Sequence, residues 1–432
     1  MYFRFNHDTN VRFWILVIFV KLIIIFSTFS VEIFNDSYSY YYPFSIFNGQ
    51  LHPFRMVVYP ELVSFFAQIN LDKSPSYLIT LQHCLSFVSI VFFYRNISYL
   101  TQYKPLVYIS TILYVLWKDV YQYDNLILAE SISVLFINIF VYFLLKNERT
   151  HNNNNLVYIL FIGFFCVLLK PALIFILFVA SVYAIFSLIK QKTGFSVVLF
   201  NLFSVWSAVL GFCYMNKIKN HHFGLSTISI NNSLANVIQS KSYKKSDDKE
   251  IVNFIDERVN KDSSIYLTVF NLNSNINPEN FKGCYPKMLL PLKVVTPVKT
   301  GYSYFRLHRF VSSCFYSKEQ LIYSIDRFVR FVRTYKKVAF VSLIMLLLIF
   351  IRIKNKRGLP VTVILFLAMI WLNAAMIIGW GIEDWERLLL PSFPVIAMVY
   401  IYLINQLLIN VDMAKIEEKL KRFVISISNS LT

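Results

Sequence analysis

Apolar stretches long enough to cross a bilayer recur along most of this chain, and no other feature limits its fold so sharply. A helix needs about twenty consecutive apolar residues to span the hydrocarbon core. Apolar runs lie at about 13–34, 76–94, 105–117, 125–145, 156–169, 172–189, 195–215, 338–351, 361–380 and 389–409, the third and fifth being short. Of the 432 residues, 56% are hydrophobic, 18% aromatic and only 15% charged. A soluble domain carries about a quarter charged residues. The expected fold is therefore an all-α polytopic membrane protein with about ten transmembrane helices. Interfacial helices are expected in the first outer loop, and one large extracytoplasmic loop of mixed structure interrupts the spans.

The runs divide the chain into an N-terminal membrane module (1–215), a large basic loop (216–337), a C-terminal membrane module (338–410) and a tail (411–432). The first run is too long for a signal-peptide core and no small-residue cleavage site follows it, so it reads as a retained span. Lys21 within it faces other helices or snorkels to the boundary. "YPELVSFFAQI" (Tyr59–Ile69), inside the first outer loop (35–75), has the mixed face of a helix lying in the interface. Cys84, Cys166, Cys213, Cys284 and Cys314 show no metal or redox spacing. Cys284 and Cys314 share the large loop, which leaves a disulfide between them open.

Lys and Arg set the orientation. With the N-terminus in the cytoplasm, the cytoplasmic pieces hold 16 basic residues and the short outer pieces five, Arg55, Lys73, Lys118, Lys170 and Arg387. Positive charge then favours the inside about three to one, and both termini are cytoplasmic. The Asn-rich stretch after Thr150 becomes a cytoplasmic turn. The segment Lys217–Lys337 falls outside, with 20 basic and 9 acidic residues, a net +11 of the chain's +18. Long loops cross largely regardless of charge. This one is either a solvated domain near anionic headgroups or an electropositive cover over a phosphate-bearing substrate. Its end, Lys318–Lys337, spaces Leu321, Ile322, Ile325, Phe328, Val329 and Val332 as one helical face, with Arg327, Arg330 and Arg333 toward the other. That pattern is a basic amphipathic helix on the membrane surface. Nucleic acid is a poor partner on that side. There is no P-loop, Rossmann fingerprint or HExxH motif.

Ionisable residues gather at the outer boundary: Asp36 after the first run, Asp119 and Asp124 after the third, and Glu130 opening the fourth. Lys170 lies between the fifth and sixth runs, and Glu383, Asp384, Glu386 and Arg387 precede the tenth. Charges at membrane depth are costly and commonly serve a ligand.

Four stretches carry a resemblance. They are "DSYSYYYPFSIFNGQLHPFRMVVYPEL" (Asp36–Leu62), "LILAESISVLF" (Leu126–Phe136), "LLKPALIFIL" (Leu168–Leu177) and "WERLLLPSFPVIAMV" (Trp385–Val399). In order and position the chain resembles the GT-C superfamily of polyprenyl-phosphate-sugar-dependent glycosyltransferases, which includes protein O-mannosyltransferases and lipid A aminoarabinose transferases. It departs from them in having Ser-Tyr rather than a second acid after Asp36, and lysine rather than arginine at 170.

The resemblance implies an inverting sugar transferase on the outer face of a bacterial cytoplasmic membrane. It would move a sugar from an undecaprenyl-phosphate carrier to a glycan, lipid or protein acceptor. Asp36 is then the general base toward the acceptor hydroxyl. Arg387, Lys170 and Arg55 receive the departing lipid phosphate. Tyr38, Tyr59 and Trp385 wall the sugar and first isoprenes, while Glu130, Asp124 and Glu386 orient the arginine or bind sugar hydroxyls. No cofactor is fixed, and a divalent cation on the phosphate stays open. Two alternatives remain beside it: a polysaccharide repeat-unit polymerase of the O-antigen type, and a lipid-linked-glycan flippase or transporter.

Overall fold

The computed structural model describes residues 7–33, 36–41, 55–191, 195–220, 222–226, 228–259, 265, 286, 302, 304–315, 317–354, 361–380 and 385–410. Among these residues the chain is helical, with one isolated parallel bridge and no strand beyond it. The N-terminal part runs through α1 (His7–Thr28), α2 (Val58–Ile69), α3 (Ser74–Leu100), α4 (Lys104–Val115), α5 (Lys118–Tyr121), α6 (Glu130–Thr150), α7 (Asn153–Leu169), α8 (Ile174–Gln191) and α9 (Phe195–Asn220). The loop expected to lie outside contains α10 (Ile228–Gln239), α11 (Lys249–Val259), α12 (Tyr304–Phe315) and α13 (Lys318–Thr334). The chain closes with α14 (Lys336–Lys354), α15 (Val361–Trp380), α16 (Trp385–Leu389) and α17 (Phe393–Asn410).

Seven of the described segments are long and apolar enough to cross a membrane: Asn10–Thr28, Ser74–Leu100, Glu130–Thr150, Pro171–Lys190, Phe195–Lys219, Val361–Ile378 and Arg387–Gln406. The short third and fifth runs form the shorter apolar helices α4 and α7, and the eighth lies within α14. Two helices stop about five residues short of the apolar runs that contain them. Helix α1 stops at Thr28, whose hydroxyl returns to the Ile24 carbonyl at 2.7 Å. Helix α6 begins at Glu130 rather than near residue 125, because Gln122–Asn125 makes a 3-10 turn instead.

Those two shortened ends are joined to each other. The Glu32 amide donates to the Asn125 carbonyl at 2.9 Å and the Ile127 amide to the Glu32 carbonyl at 3.3 Å, forming the bridge between Glu32 and Leu126. Ser37 Oγ donates to the Ile127 carbonyl at 3.1 Å and Asn125 Nδ2 to the Thr28 carbonyl at 2.8 Å. Backbone groups that leave a helix at membrane depth need such partners.

Helix α3 packs along α6, α6 along α7 and α7 along α8, while α17 lies against α3 and α15 against α8. Lipid is as apolar as the helix surfaces, so close fit and polar contacts hold such helices together. Gly163 provides the fit: a Cβ there would stand 3.1 Å from the Leu177 Cα, so α7 and α8 approach more closely than a side chain at that position would comfortably allow. The polar contacts are buried amides. Asn138 Nδ2 donates to Ser89 Oγ at 2.8 Å and Tyr114 Oη at 3.0 Å, and Asn96 Nδ2 to the Asn138 carbonyl at 2.9 Å. Between α6 and α7 the turn is only His151, with a left-handed φ of 49°, and Asn152, which accepts from the Asn154 amide; Asn153–Asn155, expected in the turn, already open α7 because Asn152 caps it.

Helices α10–α12 have a small core of their own, including Leu234, Ile238, Ile251, Ile255, Leu307, Phe310 and Cys314. Cys314 is free; its suggested partner Cys284 lies outside the described residues. Helix α13 is amphipathic as expected, with Leu321, Ile322, Ile325, Phe328 and Val329 exposed. One residue departs from the sequence expectation: Arg327 is buried and points inward, while Arg330 stays on the exposed surface.

Candidate functional site

Segments separated by up to 351 positions meet where the Asp36 carboxylate stands between two guanidiniums. Its position comes from a short 3-10 turn, Ser37–Tyr41, in which Ser39 returns both its amide (3.1 Å) and its hydroxyl (2.6 Å) to the Asp36 carbonyl. Asp36 Oδ1 lies 2.9 Å from an Arg55 nitrogen and Oδ2 accepts from Arg387 at 2.7 Å. Arg55 Nε also donates to Ser39 Oγ at 2.8 Å, and its guanidinium rests 4.6 Å over the Tyr40 ring.

A second carboxylate completes the cluster. Glu130 opens α6, and its Oε1 accepts from Lys170 at 2.8 Å and lies 3.6 Å from Arg387 Nε. Lys170 is brought there by the turn after α7, where Pro171 cannot continue the helix and starts a 3-10 turn. Arg387 sits in α16, whose Leu388 carbonyl and following Ser392 hydroxyl are held by Asn373 of α15 at 3.2 and 2.8 Å. The result is an alternating chain, Arg55–Asp36–Arg387–Glu130–Lys170, with net charge +1 when all five are ionised.

The two acids differ in access. The Asp36 side chain is 30% exposed, that of Glu130 only 2%. Glu130 Oε2 is buried and has no hydrogen-bond partner among the described residues. A buried acceptor left unmatched costs about 1–3 kcal/mol, so this oxygen is suited to receive a donor from a ligand. Burial pushes the Asp36 carboxyl up, but Arg55 and Arg387 outweigh it and hold it well below the usual carboxylate range. The Tyr40 phenol is pushed up to about 12, chiefly by burial, and is neutral at physiological pH.

Asp36, Arg55, Lys170, Glu130 and Arg387, all singled out in the sequence, are thus brought together. Others stand apart or behind. Tyr59 is fully buried, edge-on to Tyr40 at 4.6 Å, and donates to Gln82 Oε1 at 2.7 Å, so it backs the site rather than lining it. Asp124 is buried in a separate pair, 2.8 Å from Lys21, and accepts from Ser131 Oγ at 2.5 Å. Gln82 links the two places by donating to the Asp124 and Leu126 carbonyls at 3.1 and 2.8 Å. Asp119 accepts from the Trp117 indole at 3.1 Å and is exposed. Trp385 turns its ring to Phe331 (5.9 Å) and Arg327 (5.8 Å). The backbones of Tyr38 and Glu386 lie in the turn after Asp36 and in α16; their side chains, like residues 383–384, lie outside what the structure describes. Sequence reasoning passed over Ser39 and Tyr40, though the Asp36-Ser-x-Ser-Tyr order was a signal for a turn that folds back on its own acid.

Among the described residues no group of three or more His, Cys, Asp or Glu is arranged to hold a metal ion. The chain matches no family model, no curated protein and no solved structure.

Proposed function

We propose that this protein is a membrane glycosyltransferase that takes its sugar from a polyprenyl-phosphate-linked donor on the outer face of the cytoplasmic membrane. In this reading the fold has about ten spans with both termini inside. The observation that carries it is the convergence of Arg55, Lys170 and Arg387 on two carboxylates at the ends of apolar helices. Three clustered cations with a partly exposed acid answer the two demands of glycosyl transfer from a lipid phosphate. One is a base for the incoming hydroxyl; the other is positive charge for the departing phosphate.

The free site holds its base in an unreactive state. A carboxylate clamped by two arginines is a weak proton acceptor, because its charge is already satisfied. A donor phosphate entering among the cations would draw Arg387 and Arg55 toward itself. Less compensated, Asp36 would gain basicity when the sugar is in place. It would then take the acceptor hydroxyl proton as that oxygen bonds to the anomeric carbon. The bond from that carbon to the phosphate oxygen breaks, and the lipid phosphate leaves with the electron pair onto the cations. Attack opposite the leaving group inverts the anomeric centre. The orphaned Glu130 Oε2 is suited to accept from a sugar hydroxyl.

The net +1 of the cluster is matched by a phosphodiester, which carries one negative charge. A pyrophosphate-linked donor of the polymerase alternative would bring more anionic charge than the five residues balance. Asp36→Asn tests the reading in reconstituted protein supplied with polyprenyl-phosphate sugars. Transfer is expected to fall about a hundredfold or more with the protein still folded and inserted; an active Asp36→Asn enzyme would remove the mechanism.

A further inference from the structure

Arg327 is the one charge of α13 that a membrane-surface role leaves unexplained. It is 2% exposed, although a surface helix gives an arginine every opportunity to reach water. Removing a guanidinium from water costs several kcal/mol unless its surroundings compensate. Its partners come from three parts of the chain. One nitrogen donates to Asn236 Oδ1 of α10, and another donates at 3.0 Å to the Ile377 carbonyl of α15. Its guanidinium carbon lies 5.8 Å from the Trp385 ring centre and 5.7 Å from that of Tyr323.

Two of these contacts lie on opposite sides of residues 381–384. Ile377 is in the last turn of α15, where carbonyls have no partner within the helix and the dipole favours a cation. Trp385 is the first residue of α16, two positions before Arg387. Phe331, one turn further along α13 and also buried, packs on the same ring at 5.9 Å. A side chain that holds the end of one helix and the start of the next fixes how α16 leaves α15. That exit sets the direction of Arg387 toward Asp36 and Glu130.

We infer that Arg327 is a positioning residue for the phosphate-binding arginine, so that α13 helps to aim Arg387. The inference rests on the donor reading only for what Arg387 grips; the mechanical link stands on its own. It makes α13 part of the site's construction rather than of a separate cover.

The test uses the full-length protein in lipid nanodiscs, with Arg327→Met and the charge-keeping Arg327→Lys. Backbone hydrogen exchange needs no ligand. In Arg327→Met, amides of 385–389 should exchange at least tenfold faster, while those around Asn96 and Asn138 keep wild-type protection; Arg327→Lys should be intermediate. Exchange at 385–389 unchanged from wild type, or raised equally everywhere, would overturn the inference. The second measurement is binding of undecaprenyl phosphate. Arg327→Met should weaken it about tenfold in the wild-type background and no further in an Arg387→Ala background; independent, multiplying losses would also overturn it. If wild-type protein binds no undecaprenyl phosphate, the donor reading falls and the exchange result alone decides the link. Should Arg327→Met fail to fold, Arg327→Lys decides by the same comparison.

Discussion

The two site carboxylates show how neighbouring residues of one chemical type acquire different tasks. Asp36 is reachable and bracketed by guanidiniums, whereas Glu130 is enclosed and holds Lys170 with a single oxygen. The bracketing of Asp36 makes stability depend on pH. Because its folded-state value is depressed, its ion pairs add stability above about pH 4, the ordinary aspartate range. That contribution is lost only as pH falls through the lower folded value. The unliganded protein should therefore keep its melting temperature on acidification to about pH 5, as far as this group governs it. With donor phosphate drawing the arginines away, the carboxyl should titrate higher. An acid limb is then expected in kcat, with kcat/KM flat over the same range, and a pH–rate series on both constants checks this. Arg387→Ala should weaken undecaprenyl phosphate about tenfold, ~1.4 kcal/mol, since it removes a cation touching both acids; unchanged affinity in a direct binding assay would count against the clamp. The residue types were legible in the sequence because boundary charges are rare in so apolar a chain. Their pairing was not: nothing local to Asp124 tells that Lys21, 103 positions away, already occupies it.

At the scale of elements, apolar length predicted where helices lie better than where they end. Helices α1 and α6 stop short of their apolar runs because the intervening backbone finds partners in a bridge, and a bridge between residues 32 and 126 leaves no periodic trace. The amphipathic pattern of α13 was readable in full except at Arg327, whose inward turn depends on α15 and α16 lying behind it. Helix proximity is similarly hidden, since one glycine reads as a helix weakness until its neighbour is known. Gly163→Ala puts a methyl 3.1 Å from the backbone of α8 at Leu177, and backbone cannot swing aside as a side chain would. A loss of about 1–3 kcal/mol is expected, visible as a lower melting temperature in detergent. Gly211, with nothing within 4 Å of the position a Cβ would take, is the control and should accept alanine without that loss.

For the whole molecule, the inside-positive bias and the helix order make a prediction about sidedness. Asn152 lies in the tight turn between α6 and α7, and Lys241 comes after α10 in the segment expected outside. In a variant with its five cysteines replaced, Lys241→Cys should react with a membrane-impermeant maleimide in intact cells, and Asn152→Cys only after the membrane is opened. The opposite pattern would invert the topology and put the acid–arginine cluster on the cytoplasmic side. The membrane class was readable from span length, whereas the attachment of α13 to the C-terminal helices needed three-dimensional contacts such as Arg327 with Ile377. The short zipper between residues 32 and 125–127 has one more consequence. Asp36 lies four positions beyond one side of it and Glu130 four beyond the other. The four residues from Leu126 to Glu130 therefore set by their number where that carboxylate falls. One residue added in extended backbone displaces the rest of the connection by about 3.3 Å, farther than either arginine stands from Asp36. A one-residue insertion there is thus expected to part Glu130 from Lys170 and Arg387 even with every side chain kept, and a lowered melting temperature would show it.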